Sequence, residues 1–287
     1  MKLQTLVTAI AFLVLTAGAH AAPPSDKWST DYDAALKAAQ TQSKPMLIMF
    51  SASWCPPCNM MKKDVLPQKS VQTALDKWVL AYIDVDENKA LPNQYQIQAI
   101  PTFVMLDSGG RELGRFNYMQ AGDFAGWINA VRGDVASLTE IGRRLEAKPN
   151  DAALLRGKGD VLADIGLRMA GVYPMTLIVT ATRANEAIEA YKAAQAAGDN
   201  SPELRANIGF LGAVVKATKN ESAAAAGQEL ERYAQENPNG KFAADALFWR
   251  AIAAAKMRQT EQSQALVREY GEKYPGGRYA LIVKAKQ

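Results

Sequence analysis

The run Met46-Leu47-Ile48-Met49-Phe50, with Trp54-Cys55-Pro56-Pro57-Cys58 close behind it, constrains this chain more than any other stretch. Five consecutive apolar residues have the signature of a strand buried on both faces. Pro56 and Pro57 lack N–H groups and suit the first turn of a helix, whose donors have no partner inside the helix. The sequence therefore places two cysteines where a buried strand ends and a helix begins. They are the only cysteines among 287 residues. Three roles are open to them: a redox couple, half of a metal site, or a structural staple.

The first residues narrow the choice. Met1-Lys2 supplies a positive start, Leu6 to Leu15 is apolar apart from Thr8, and Ala19-His20-Ala21 is a small-x-small cleavage signal. This pattern predicts a secretory signal peptide over 1–21, cut near Ala21. The apolar run is too short to span a bilayer, which takes about 20 residues. The expected product is exported, with the periplasm as its compartment. His20 is the sole histidine and is expected to leave with the signal. Histidine-based catalysis and histidine metal sites are thereby excluded. A structural zinc site needs four ligands, and Cys55 and Cys58 supply two. A disulfide across three residues closes a very short loop and removes little chain entropy, so a staple would add little stability.

The redox reading has positive support. A thiolate at a helix N-terminus is stabilised by free N–H groups and by the positive end of the helix dipole. Cys55 is expected to face solvent as the nucleophile, with a thiol pKa below the free value of about 8.5. Cys58, one turn inside, is placed to attack a mixed disulfide. Trp54 would form an apolar shoulder beside the sulfurs. No cofactor and no metal are expected. The segment Asp84–Tyr95 begins like a calcium loop but has Lys89 and Tyr95 where such a loop requires Gly and Glu. Lys62-Lys63 reads as a solvated helix face, and Met46, Met49, Met60 and Met61 as core rather than copper ligands. A net charge of +4, dispersed along the chain, argues against nucleic acid as a partner.

Around the motif, helical spacing is expected over 31–43, with further strands over 78–86 and 99–107. A tight turn at 108–110, a returning strand and a closing helix over 121–132 complete the pattern. In these features residues 28–131 resemble a thioredoxin-fold domain. The features that carry the resemblance are the buried strand, Trp-Cys-Pro-Pro-Cys, and Ala99-Ile100-Pro101-Thr102, whose proline lies 43 residues beyond Cys58. The helix and Lys44-Pro45 ahead of the strand are closer to the periplasmic subgroup that includes the C-terminal domain of the electron carrier DsbD. The resemblance implies a cis Pro101 lying against the cysteines. It also implies a docking groove shaped by Trp54, Pro56, Pro57, Ile100, Pro101 and Thr102, with the backbone of Ile100 and Thr102 pairing with an extended substrate. Protein disulfides would be the substrates and a DsbD-type membrane protein the electron donor. Departures are also evident. Met49 and Tyr82 stand where thioredoxin has a buried aspartate and its lysine partner, and Asn59 replaces the usual cation after the second cysteine. The tetrad and Ile100 favour reduction or isomerisation over net oxidation.

Beyond Gly133-Asp134 strand signals nearly vanish. The expected organisation is a thioredoxin-like domain over 22–133 and an all-α helical domain over 134–287. Glu231–Ala243 aligns with Arg268–Ala280 at an offset of 37 residues: Tyr233 with Tyr270, Pro238 with Pro275, Phe242 with Tyr279. That period suggests stacked helix pairs near the tetratricopeptide length of about 34 residues. The stretch around Tyr191 reads as a degenerate earlier copy, and Pro174 as a break. Such repeats commonly hold a protein partner, so a second reading is a client-binding module in which the redox couple is secondary.

Overall fold

The computed structural model describes residues 22–170 and 176–284. The expected signal peptide, with His20 and its cleavage point, and the break at Pro174 lie outside the described residues. The N-terminal half is built on one sheet whose strand order is β1 (Trp28–Ser29), β3 (Val79–Asp84), β2 (Met46–Ser51), β4 (Thr102–Leu106) and β5 (Glu112–Phe116). The first three are mutually parallel, and the last two are added antiparallel. The antiparallel hairpin β4–β5 turns at Asp107. Its carboxylate accepts from the N–H groups of Gly109 and Arg111, and Gly110 adopts φ 85°, a left-handed conformation that suits glycine.

Strand β2 is buried along its whole length, as its apolar run requires. Side chains alternate across a strand, so the run serves two cores. Leu47 and Met49 join Tyr82, Phe103 and Met105 on one face, under helices α2 (Pro56–Met60), α3 (Lys69–Leu75) and α5 (Ala121–Ala147). Met46, Ile48 and Phe50 face the other way, toward α1 (Tyr32–Gln42) and α4 (Ala90–Gln94). Each fully buried Leu, Ile, Met or Phe stabilises the sheet by roughly 1.5–3 kcal/mol. Helix α1 starts where the Asp31 carboxylate accepts from the Ala34 N–H and ends at Ser43, φ 52°.

One helix widens locally and another overruns its expected end. Residues 61–65 widen into a π-helical segment continuous with α2. Helix α5 runs on to Ala147, well past the expected end at 132, and position 133/134 lies inside it. One glycine costs a helix only about 1 kcal/mol. The packing outweighs that: Val131 and Val135 belong to the sheet core, whereas Leu138 packs against the core of the helical region.

The rest is helical: α6 (Ala152–Met169), α7 (Thr176–Ala196), α8 (Pro202–Ala217), α9 (Ala223–Glu236), α10 (Ala243–Lys256), α11 (Thr260–Lys273) and α12 (Ala280–Lys284). The pairs α9–α10 and α11–α12 start at positions 37 residues apart and share one device. The Tyr233 hydroxyl accepts from the Phe242 N–H at 3.3 Å, and the Tyr270 hydroxyl accepts from the Tyr279 N–H at 3.2 Å. Phe242 then stacks on Phe210 of α8, and Tyr279 on Phe248 of α10. Each pair is thus clipped internally by a tyrosine and stapled to the preceding pair by a ring. Tyr191 departs from this pattern, donating instead to Asp160 at 2.8 Å.

Candidate active site

Cys55 is the N-cap of α2, with Pro56 and Pro57 filling the first two helical positions. The Cys58 N–H donates to Cys55 Sγ at 3.2 Å, so the sulfur itself takes a helix-terminal donor. The two cysteines form a disulfide, Cα–Cα 5.2 Å. Opposite them, the Ile100–Pro101 peptide bond is cis, and the Ile100 carbonyl oxygen lies 3.6 Å from Cys55 Sγ. A disulfide sulfur has no proton to donate, so this is a packing contact. The expected solvent-facing Cys55 is corrected: it is only 2% exposed, and Cys58 is fully buried. The proline loop closes over the sulfurs, leaving Cys55 a thin line of access in the oxidised pair.

The surroundings hold this slot open on one side. Trp54 is 65% exposed, and its indole N–H donates to Asp86 Oδ2 at 2.7 Å. Beside it runs a groove of about 380 Å³ lined chiefly by Val85, Pro92, Ile97, Ala99 and Ile100. Thr102 is buried rather than presented to the groove, and its hydroxyl donates to the Ala99 carbonyl at 2.6 Å. The Asn117 amide donates to the Pro101 carbonyl at 2.8 Å and to the Thr102 hydroxyl at 3.0 Å, bracing the loop from the end of β5. Asp86 and Asn117 escaped sequence reasoning. Asp86 falls in the segment that begins like a calcium loop, and Asn117 is distant in sequence from either motif.

Met49 and Tyr82 are buried under the pair. Burial pushes the Tyr82 phenol above its ordinary range. Lys62 is not the freely solvated residue expected. Its ammonium lies 5.7 Å from the Tyr82 ring centroid, and burial lowers its pKa against the attraction of Asp84. Lys63 is exposed. Among the described residues no group of three or more His, Cys, Asp or Glu side chains is arranged to hold a metal, and no helix is long and apolar enough to cross a membrane.

A central sheet, a Cys-x-x-Cys pair at a helix start and a cis-proline loop against the sulfurs define a thioredoxin-like thiol–disulfide oxidoreductase domain. A family described as thioredoxin-like matches residues 27–108. Thioredoxin H2-1 of Oryza sativa is 32% identical over 111 residues, which cover 39% of this chain and 75% of the rice protein. Thiol:disulfide interchange protein DsbD 1 of Pseudomonas aeruginosa is 29% identical over 124 residues, 39% of this chain and 21% of that protein. Among solved structures, the oxidised C-terminal domain of Neisseria meningitidis DsbD aligns with a TM-score of 0.33 at 27% identity, covering 37% of this chain and 99% of the domain. The chain belongs to the thioredoxin family.

Proposed function

We propose that this protein is a periplasmic thiol–disulfide oxidoreductase that reduces or isomerises protein disulfides. In the reduced enzyme the Cys55 thiolate attacks one sulfur of a substrate disulfide. The substrate S–S bond breaks, one substrate sulfur leaves as a thiolate, and a Cys55–substrate mixed disulfide forms. Cys58 then attacks Cys55 Sγ, expelling the second substrate thiolate and closing the enzyme disulfide. Two electrons pass from the enzyme dithiol to the substrate. The observation that carries this reading is the helix-terminal N–H aimed at Cys55 Sγ, 3.2 Å away, a donor that favours the attacking and leaving thiolate alike.

Trp54, Pro56, Pro57, Ile100, Pro101 and Thr102 frame the substrate, with Thr102 acting through its backbone. Electrons are supplied by a DsbD-type membrane protein, a reading supported by the likeness to DsbD 1, and export relies on the leader at 1–21. The helical region serves as a tetratricopeptide-like platform for a protein partner. The recurrence of the tyrosine clip at 37 residues supports this second role.

Insulin reduction by dithiothreitol tests the catalytic role. Wild type should accelerate it, and Cys55→Ser should fall to the uncatalysed rate. Cys58→Ser should accumulate mixed disulfides that resist dilution. Equal acceleration by wild type and Cys55→Ser would leave only the client-binding role. Trapping the thiol state in cells reads the direction, since a reductant is held mostly reduced.

A further inference from the structure

Helix α6 carries Arg156, Asp160, Asp164 and Arg168 at steps of four residues, so they line one face. Their partners come from different parts of the molecule, with Lys241 shared between Asp160 and Asp164, 3.6 Å from the latter. Arg156 pairs with Asp199 at 3.5 Å and with Glu203, where α7 passes into α8. Asp160 accepts from Lys241, in the loop between α9 and α10, at 2.8 Å. Asp164 accepts from Arg278, in the loop between α11 and α12, at 2.8 Å, and its carbonyl takes a second Arg278 N–H at 3.0 Å. Arg168 pairs with Asp134 of α5 at 3.2 Å.

Lys241 and Arg278 occupy the same place in the two repeats, 37 residues apart, each just before the stapling aromatic. One face of one helix therefore engages the connecting loops of three successive helix pairs in chain order, and its last step reaches the helix shared with the redox domain. Two glycines bring α6 close to α7. A Cβ at Gly159 would lie 2.5 Å from the Tyr191 ring, and one at Gly166 would lie 2.8 Å from Arg183 Cβ. Arg183 of α7 is itself 3% exposed and donates to the Glu112 carbonyl of edge strand β5.

We propose that α6 is a built-in strap: its charge ladder holds the loop edge of the helix pairs and fixes the helical region to the redox domain as one body. The loop cations Lys241 and Arg278 are then occupied from within, and a protein partner must use another face of the repeats. This inference does not depend on the redox reading.

The test is hydrogen exchange on the full-length protein. Lys241→Glu sets a carboxylate against Asp160 and Asp164. Exchange should rise about threefold or more not only over 237–242 but also over 152–169 and 274–284. Should Lys241→Glu not fold, Lys241→Gln, which removes the charge without repulsion, should show the same spread. A rise confined to 237–242 in either variant, or no rise in either, overturns the strap. Alkylation of reduced Cys55 should stay at the wild-type rate in all of them.

Discussion

Trp54 is the most exposed large apolar side chain beside the cysteines, yet its indole is tethered. The bond to Asp86 fixes the ring as one wall of the groove, so the proposed substrate site is a preformed surface. Asp86→Ala leaves the thiols untouched and lets the ring swing. The expected outcome is a rise in KM for a protein disulfide of roughly fivefold, the equivalent of about 1 kcal/mol, with kcat little changed. Steady-state kinetics on wild type and variant check this. An unchanged KM would mean that the tether plays no part in binding. Cys55 and Cys58 could be read directly, because their chemistry is carried by residue type and spacing, and Pro101 through the thioredoxin-fold resemblance. Asp86, Asn117 and the half-buried state of Lys62 could not, because each depends on which distant segment packs beside it.

Helices α9 to α12 show what a repeat means physically. Tyr233 and Tyr270 each accept a backbone N–H nine residues on, at a bend where Gly240 and Gly277 leave room for the hydroxyl. Tyr270→Phe keeps the ring and strands the buried Tyr279 N–H. Leaving such a donor unpaired costs about 1–3 kcal/mol. The midpoint of urea unfolding should fall accordingly, and Tyr233→Phe should fall by a similar amount. The aromatic, proline and aromatic in register made this period visible in the sequence. Helix α5 is the contrasting case. Its closing turn was expected at 132, but its later apolar positions serve a second core that local periodicity does not reveal.

Across the whole molecule, the helical region encloses charged groups of its own. Arg278 lies 2.9 Å from Asp245 and 2.8 Å from Asp164. Against the cost of its own burial, those carboxylates hold Arg278 charged. Asp245 points the other way: burial, the largest influence, raises its carboxyl above the ordinary range despite Arg278. The direction for Asp245 follows from its being sealed within α10, where one cation does not replace water. A carboxyl whose folded pKa is raised binds its proton more tightly in the folded state. Its contribution is present below the unfolded value of about 3.9 and is lost as pH rises through the shifted one. Asp245→Asn removes that loss. The stability of the variant relative to wild type should therefore improve as pH rises from about 4 toward 7, read from urea midpoints at each pH. A relative stability of the variant that stays flat or falls over that range would contradict the assignment. Asp134, whose carboxyl is also raised by burial, remains in both proteins and cancels in the comparison.

The thioredoxin-fold resemblance supplied the proline across from the cysteines; the strand-to-helix junction, the cysteine pair set at it and the 37-residue period were written in the sequence alone. Each is a local consequence of residue type and spacing. The near closure of the slot over Cys55, the anchoring of Trp54 and the proline loop, the extension of α5 and the charge ladder of α6 were decided only by tertiary structure. They join residues up to 114 positions apart, and burial, which sets both access and charge, exists only once those residues have met.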